Sequence, residues 1–290
     1  LIYSALNLYA TFIEKDQSKE FKHPSKKLWE AVIACLLYPH TWVRQASGRL
    51  VNELVNHLDE LDEMFNEEEI QNIASRVLHQ LAAPGISEGL SSISIKTLIK
   101  ITMIWSTNNT QFYGKDTEDD LENEKLYIDA IDYIVTRVSN IIRSEKNHAD
   151  SFMSKKSGIQ FFALVLQVLS KEQVIQEAEK IMLALYMHLE SDRGRLTEEQ
   201  EELSNLSQEC LQMVESKMSV SEFTEAYTNV KQIVIRRREE RRAKRSIMTI
   251  NDPELAAQKK LRKHARSREK RKHEKDENGF YQRKNKKRRT

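Results

Sequence analysis

The stretch LWEAVIACLLYPHTWVRQASGRLVNELVNHL, residues 28–58, decides the fold. Leu28, Val32, Cys35 and Leu36 recur at three and four, the spacing that gathers side chains on one face of a helix. Tyr38-Pro39-His40 then forces a turn, because proline cannot donate to a continuing helix and disfavours helical backbone in the residue before it. Val43, Ser47, Leu50, Leu54 and Leu58 resume the helical spacing immediately afterwards, so the stretch is two helices folded back on each other. The same spacing runs outward through Ile70, Ile73, Val77, Leu78 and Leu81, and through Ile93, Leu98, Ile101 and Trp105. With 7 glycines and 4 prolines in 290 residues, long helices with few interruptions are the expected content, and the fold class is all-α. Four helix starts carry capping-box signatures: Asn66…Glu69, Ser170…Gln173, Thr197…Gln200 and Ser219…Glu222.

The helix–turn–helix of residues 28–58 resembles a HEAT repeat. In that family the second helix opens with Val-Arg, carries a small residue four after the valine and continues with aliphatics; Val43, Arg44, Ser47, Val51 and Leu54 fall on that pattern. The small residue lets two antiparallel helices approach, and the arginine is expected to reach the polar edge of a neighbouring repeat. Further pairs are expected at 66–83 with 86–106, 122–146 with 151–169, and 171–190 with 197–217, at the period of about 40 to 47 residues typical of such repeats. Stacked pairs make a solenoid in which each repeat contacts only its neighbours. Trp29, Trp42 and Trp105 all lie on apolar faces and are expected to anchor the core. The chain opens within an apolar helical pattern and is read as the C-terminal part of a longer protein.

Charge divides the chain in two. Residues 231–290 hold 24 Lys and Arg against 8 Asp and Glu, whereas residues 1–230 hold 22 against 36, so a net of +16 follows a net of −14 and the overall +2 conceals both. A segment so basic and so poor in apolar residues seeks polyanions, because each phosphate contact releases condensed counterions. The expected organisation is HEAT-like repeats over 1–218, a terminal helix over 219–245 that runs into the basic segment, and a basic tail over 246–290. That tail carries one helix over 253–275 and is otherwise disordered unless bound. Asp252-Pro253-Glu254 marks the start of that helix, with aspartate as the cap and proline in the first turn. Its basic residues are expected on every side.

Arg236, Arg237, Arg238, Arg241 and Arg242 form one group of expected phosphate contacts; Lys259, Lys260, Arg262, Lys263, Arg266 and Arg268, with Lys270, Arg271 and Lys272, form a second. Arg283, Lys284, Lys286, Lys287, Arg288 and Arg289 have the density of a nuclear-import signal. Phe280 and Tyr281 are the only aromatic residues after Tyr227, so base stacking of the kind that reads single strands has little to work with, and recognition through backbone and shape is expected. A leucine-zipper factor is excluded by order, because there the basic region precedes the heptads.

Nothing in the chain composes a catalytic centre. Ser47-Gly48-Arg49 lacks the lysine and second glycine of a phosphate-binding loop. The carboxylate pairs Asp59/Asp62 and Asp119/Asp120 lie in charge-rich stretches that read as solvated faces, and the acidic run at 114–124 reads as a loop between repeats. His40 in the turn is a candidate cap; His57, His79, His264 and His273 show no metal-ligand spacing. Cys35 and Cys210 are each flanked by apolar residues, which argues against a disulfide framework or a zinc cluster. No cofactor, metal or small-molecule substrate is expected, no run approaches the roughly 18 apolar residues of a membrane span, and a reducing intracellular compartment is the default.

Leu36-Leu37-Tyr38-Pro39-His40-Thr41-Trp42-Val43-Arg44, together with Arg241-Arg242-Ala243-Lys244-Arg245 and Asp252-Pro253-Glu254-Leu255-Ala256-Ala257-Gln258-Lys259-Lys260-Leu261-Arg262-Lys263, resembles the C-terminal end of the DRIM family, the very large HEAT-repeat component 20 of the small-subunit processome. The resemblance implies a nucleolar scaffold associated with the U3 small nucleolar ribonucleoprotein, touching pre-rRNA and other processome proteins. Such a scaffold is needed for pre-rRNA cleavage and 18S maturation without itself cleaving. The alternative reading is a HEAT-type transport or chaperone adaptor whose acidic repeats bind basic cargo, with the tail as its import signal.

Overall fold

Helices make up most of the described chain. The computed structural model describes residues 1–15, 26–56, 67–83, 86–113, 127–144, 151–189, 197–255 and 257–269. The chain divides into two units, Leu1–Val230 and Lys231–Thr290. In the first, α1 (Ile2–Lys15), α3 (Thr41–Asn56), α5 (Glu88–Asn108), α7 (Ser151–Val168) and α9 (Glu198–Lys217) pack each on the next. The intervening helices α2 (Lys26–Cys35), α4 (Glu67–Leu81), α6 (Ala130–Ile142) and α8 (Lys171–Leu189) form the second layer, in which α6 packs on both α4 and α8. Helices α2/α3, α4/α5, α6/α7 and α8/α9 are hairpins, which makes the first unit a stack of helical repeats. Helix α10 (Val220–Asn251) comes next in the chain.

The repeat signature is legible atom by atom. Ser47, Leu50, Val51 and Leu54 of α3 are buried, and each such aliphatic side chain contributes about 1.5–3 kcal/mol when removed from water. Arg44 does not reach a neighbouring repeat. Its guanidinium folds back and donates to the carbonyls of Tyr38 at 3.0 Å and Pro39 at 2.9 Å, and to Thr41 Oγ1 at 3.2 Å, so it ties down the turn of its own hairpin. Trp42 is likewise no core anchor: it is 64% exposed, with Tyr3 and His40 beside its ring, whereas Trp29 and Trp105 are buried. The buried face of α2 is set by Trp29, Val32 and Ile33, with buried Leu36 just beyond the end of the helix, and Leu28 is turned outward.

Polar side chains in the core join successive hairpins and, through Ser94 and Gln80, the two helices of one hairpin. Gln80 Nε2 donates to the carbonyl of Leu36, Ser94 Oγ to Gln80 Oε1 at 3.4 Å, Thr97 Oγ1 to Asn52 Oδ1 at 3.3 Å, and Ser91 and Ser157 share a hydrogen bond. Each satisfies groups that would otherwise be costly to bury.

A two-stranded antiparallel ribbon interrupts the helical pattern. Asn109 closes α5 in the left-handed conformation (φ 47°), its N–H bonded to the Trp105 carbonyl. Strand β1 (Gln111–Tyr113) then pairs with β2 (Tyr127–Asp129), and buried Phe112 meets Trp105 edge-on at 5.0 Å. The helix expected from 122 therefore begins only at Ala130: Asp129 ends the strand and caps α6, its carboxylate accepting from the N–H groups of Ile131 and Asp132 at 2.7 and 3.3 Å. The capping boxes at Ser170, Thr197 and Ser219 all form as expected. That of Asn66 lies outside the described residues.

Candidate nucleic-acid interface

Helix α10 changes chemistry along its length. Its first turns belong to the first unit: Ala226 and Val230 are buried, the Tyr227 ring meets that of Tyr186 at 6.1 Å, and Asn229 donates to Glu179 at 2.8 Å. The stripe that is apolar at Phe223, Tyr227 and Val230 then becomes cationic, because Arg237, Arg238, Arg241, Arg242, Lys244 and Arg245 all fall within an arc of about 160° at 3.6 residues per turn. Glu239, Glu240 and Arg236 occupy the opposite side, where Arg236 and Glu240 pair at 4.0 Å.

The helix does not end near 245, as expected, but runs to Asn251, and only Asp252 interrupts it. Asp252 caps the next helical stretch, its carboxylate accepting from the Leu255 N–H at 2.9 Å, and residues 253–255 and 257–269 are helical. Lys259 Nζ comes within 3.6 Å of Met248 Sδ. On one continuous helix those positions would stand about 16 Å apart along the axis, so the chain bends at Asp252.

On this second stretch most of the described cations share one side, with Arg268 as the one that the expected charge all round places opposite. Lys259, Lys260, Arg262, Lys263 and Arg266 again share an arc of about 160°, while Ala257, Leu261, Ala265 and Arg268 lie opposite. Apart from half-buried Arg237, all the expected contact residues within the described range are exposed. Lys244 and Arg245, not among the expected contacts, share the first arc; the helical wheel carries that signal once the helix is known to pass 245. Lys270, Arg271 and Lys272, the whole group from Arg283 to Arg289, and His273, Phe280 and Tyr281 lie outside the described residues. Residues 231–269 contain 14 Lys and Arg against 5 Asp and Glu, and no Phe, Tyr or Trp.

A family model described as "Small subunit processome component 20 homolog, C-terminal" matches residues 7–277. The chain belongs to this family. The match covers the helical repeats and the basic segment as far as residue 277, and stops short of Arg283. Over its whole length the chain is 53% identical to the U3 small nucleolar RNA-associated protein 20 of Saccharomyces cerevisiae, of which it covers 12%. It is 27% identical over 269 residues, 89% of its length, to the protein of the same description from Schizosaccharomyces pombe, of which it covers 10%. The chain thus spans about a tenth of the length of these curated relatives.

Elsewhere the chemistry of the family member is quiet. Among the described residues no group of three or more His, Cys, Asp or Glu is placed to hold a metal ion, and no helix is long and apolar enough to cross a membrane. Burial pushes the Cys210 thiol up to about 12, which keeps it protonated and unreactive. His40 accepts helix N–H groups through its carbonyl rather than capping with its ring, and His79 Nδ1 sits 2.8 Å from the Ser75 carbonyl of its own helix. Asp59, Asp62, Asp119, Asp120 and His57 lie outside the described residues.

Between α6 and α8, Lys180 bridges Asp132 and Glu177, the latter at 3.0 Å. Burial raises the Glu177 carboxyl despite that partner. For Lys180 the burial that would lower it is outweighed by the hydrogen bonds and charges of Asp132 and Glu177, and the group is raised. Both groups are raised, which disfavours the charge on Glu177 and favours that on Lys180; Glu177 is the deeper partner, with a side chain 7% exposed against 40% for Lys180.

Proposed function

We propose that this chain is the C-terminal portion of a non-catalytic scaffold of the small-subunit processome, assisting pre-rRNA processing and 18S rRNA maturation in the nucleolus. The observation that carries the reading is the family match over 7–277, with relatives named for association with U3 small nucleolar RNA. The helical repeats offer surfaces to other processome proteins. The basic segment contacts RNA backbone through Arg237, Arg238, Arg241 and Arg242 and through Lys259, Lys260, Arg262, Lys263 and Arg266. Arg236 and Arg268, which lie on the backs of the two arcs, contribute less. Lys270, Arg271 and Lys272 extend the second group, and residues 283–289 serve as a nuclear-import signal.

The reading is supported by the segregation of charge, by exposed cations on helices and by the absence of stacking residues between 231 and 269. Purified chains of residues 1–290 and 1–235, titrated with a structured RNA across salt, test it. With about eight phosphates neutralised, log K should fall with log salt at a slope of roughly −6 to −7, and the truncated chain should not bind. Equal, weak binding by both chains would remove the RNA role from the tail. If the truncated chain instead captures basic proteins more strongly, the adaptor reading replaces the scaffold.

A further inference from the structure

We infer that the basic segment takes duplex RNA, each of its helices lying along a groove so that cations meet the phosphates of both strands. The inference rests on the RNA reading above and adds the class of RNA to it.

Each basic arc resolves into two rows. On α10, Arg237, Arg241 and Lys244 form one row and Arg238, Arg242 and Arg245 the other, about 100° apart around the helix. On the second stretch Lys259, Arg262 and Arg266 form one row and Lys260 and Lys263 the other, with the same angular separation of about 100°. A single strand offers one line of phosphates and can wrap, and wrapping would bring it against Glu239 and Glu240 on the back of α10 and, on the back of the second helix, against Ala257, Leu261 and Ala265 with Arg268 as the single cation there. A duplex is stiff, touches one side and presents two lines.

In A-form RNA the major groove is deep and narrow, so the phosphates of the two strands face each other across its mouth, whereas the B-form major groove is about 12 Å wide. A helix laid along that mouth meets a row on either side. The residue types agree. Single-strand binding draws on aromatic platforms worth about 1–3 kcal/mol per base, and residues 231–269 contain no aromatic residue of that kind.

The full 290-residue chain is titrated by fluorescence anisotropy with a fully paired RNA duplex of 20 base pairs and with polyuridine of 20 nucleotides, at one salt concentration. The duplex should bind at least about tenfold more tightly, given the doubled phosphate lines. Arg242→Ala and Arg266→Ala should each weaken duplex binding and lower the salt slope by about 1, whereas Arg236→Ala and Arg268→Ala, on the backs of the arcs, should lower it by clearly less. Circular dichroism of each variant confirms that helix content is retained. Polyuridine bound as tightly as the duplex, or equal losses from the front and back substitutions, would overturn the inference while leaving RNA binding in place. If neither RNA binds, the underlying RNA reading fails with it.

Discussion

Gly48 and Gly158 lie on helices of the same layer under opposite constraints. A Cβ on Gly158 would stand 2.6 Å from Ile142 Cγ1 and 3.4 Å from Val138 Cγ1, so α7 approaches α6 as closely as it does only because nothing projects there. On Gly48 the nearest atoms would be Ile93 Cγ2 at 3.5 Å and Leu90 Cδ1 at 3.7 Å, ordinary contact distances. Alanine gains about 1 kcal/mol over glycine inside a helix, and overpacking costs about 1–3 kcal/mol. Gly48→Ala should therefore raise the urea midpoint, and Gly158→Ala should lower it at unchanged m-value; both shifting the same way would contradict the packing described. Periodicity puts Ser47, Leu50 and Leu54 on one face of the helix, and that face is buried. It could not place Arg44 or Trp42. Arg44 finds its partners in the carbonyls of the adjacent turn, and Trp42, at the first turn of α3, stays exposed with Tyr3 of α1 and His40 beside its ring.

Helix starts were the most legible elements, since a capping box is local: Thr197 and Gln200 need only each other's backbone, and they form the reciprocal pair that their spacing implies. The β1–β2 ribbon was illegible for the opposite reason. Its strands are three residues each, separated by 13 residues of sequence, and the pairing depends on Phe112 packing against Trp105 and Tyr133. Asp129 carries the junction from strand to helix, so Asp129→Ala should cost about 1–2 kcal/mol through the lost cap, whereas Asp129→Asn should recover most of it; equal losses would show that the charge, not the cap, matters. The contact of α6 with α8 makes a pH prediction. Folding raises the Glu177 carboxyl, so the folded chain holds that proton more tightly than the unfolded chain, and stability from this group is gained as pH falls through the window just above the ordinary glutamate value. Between about pH 7 and pH 5 the thermal midpoint of the wild type should therefore rise relative to that of Glu177→Gln, in which Lys180 keeps Asp132. A difference that stays flat would mean that burial does not govern this carboxyl.

For the molecule as a whole, the division of charge is the feature that composition alone reveals, and the one-sidedness of the cations is the feature that it hides. The first appears in any count of Lys and Arg against Asp and Glu; the second needs the helix to be known to continue through 245 and to restart at 253. The two units also differ in what holds them. In the first, helices such as α5 and α7 bury Trp105, Leu98, Phe161 and Phe162 completely or nearly so, and repeats of this kind are stabilised by their neighbours. In the second, every side chain described from Glu239 to Glu269 except that of Met248 is exposed, so its helices have little packing to protect them. Amide hydrogen exchange reports this difference directly, because exchange through local opening follows the free energy of each segment. In the free chain, amides of α5 and α7 should exchange slowest and those of 236–269 among the fastest. Adding a saturating RNA duplex should slow exchange across 236–251 and 257–269 while leaving α5 and α7 unchanged, since ligand binding stabilises only what it contacts or orders. Protection that appeared instead on the helical repeats would place the RNA on the acidic unit, against a net charge of −14 for residues 1–230, and would require a local basic surface there to outweigh the field of the whole.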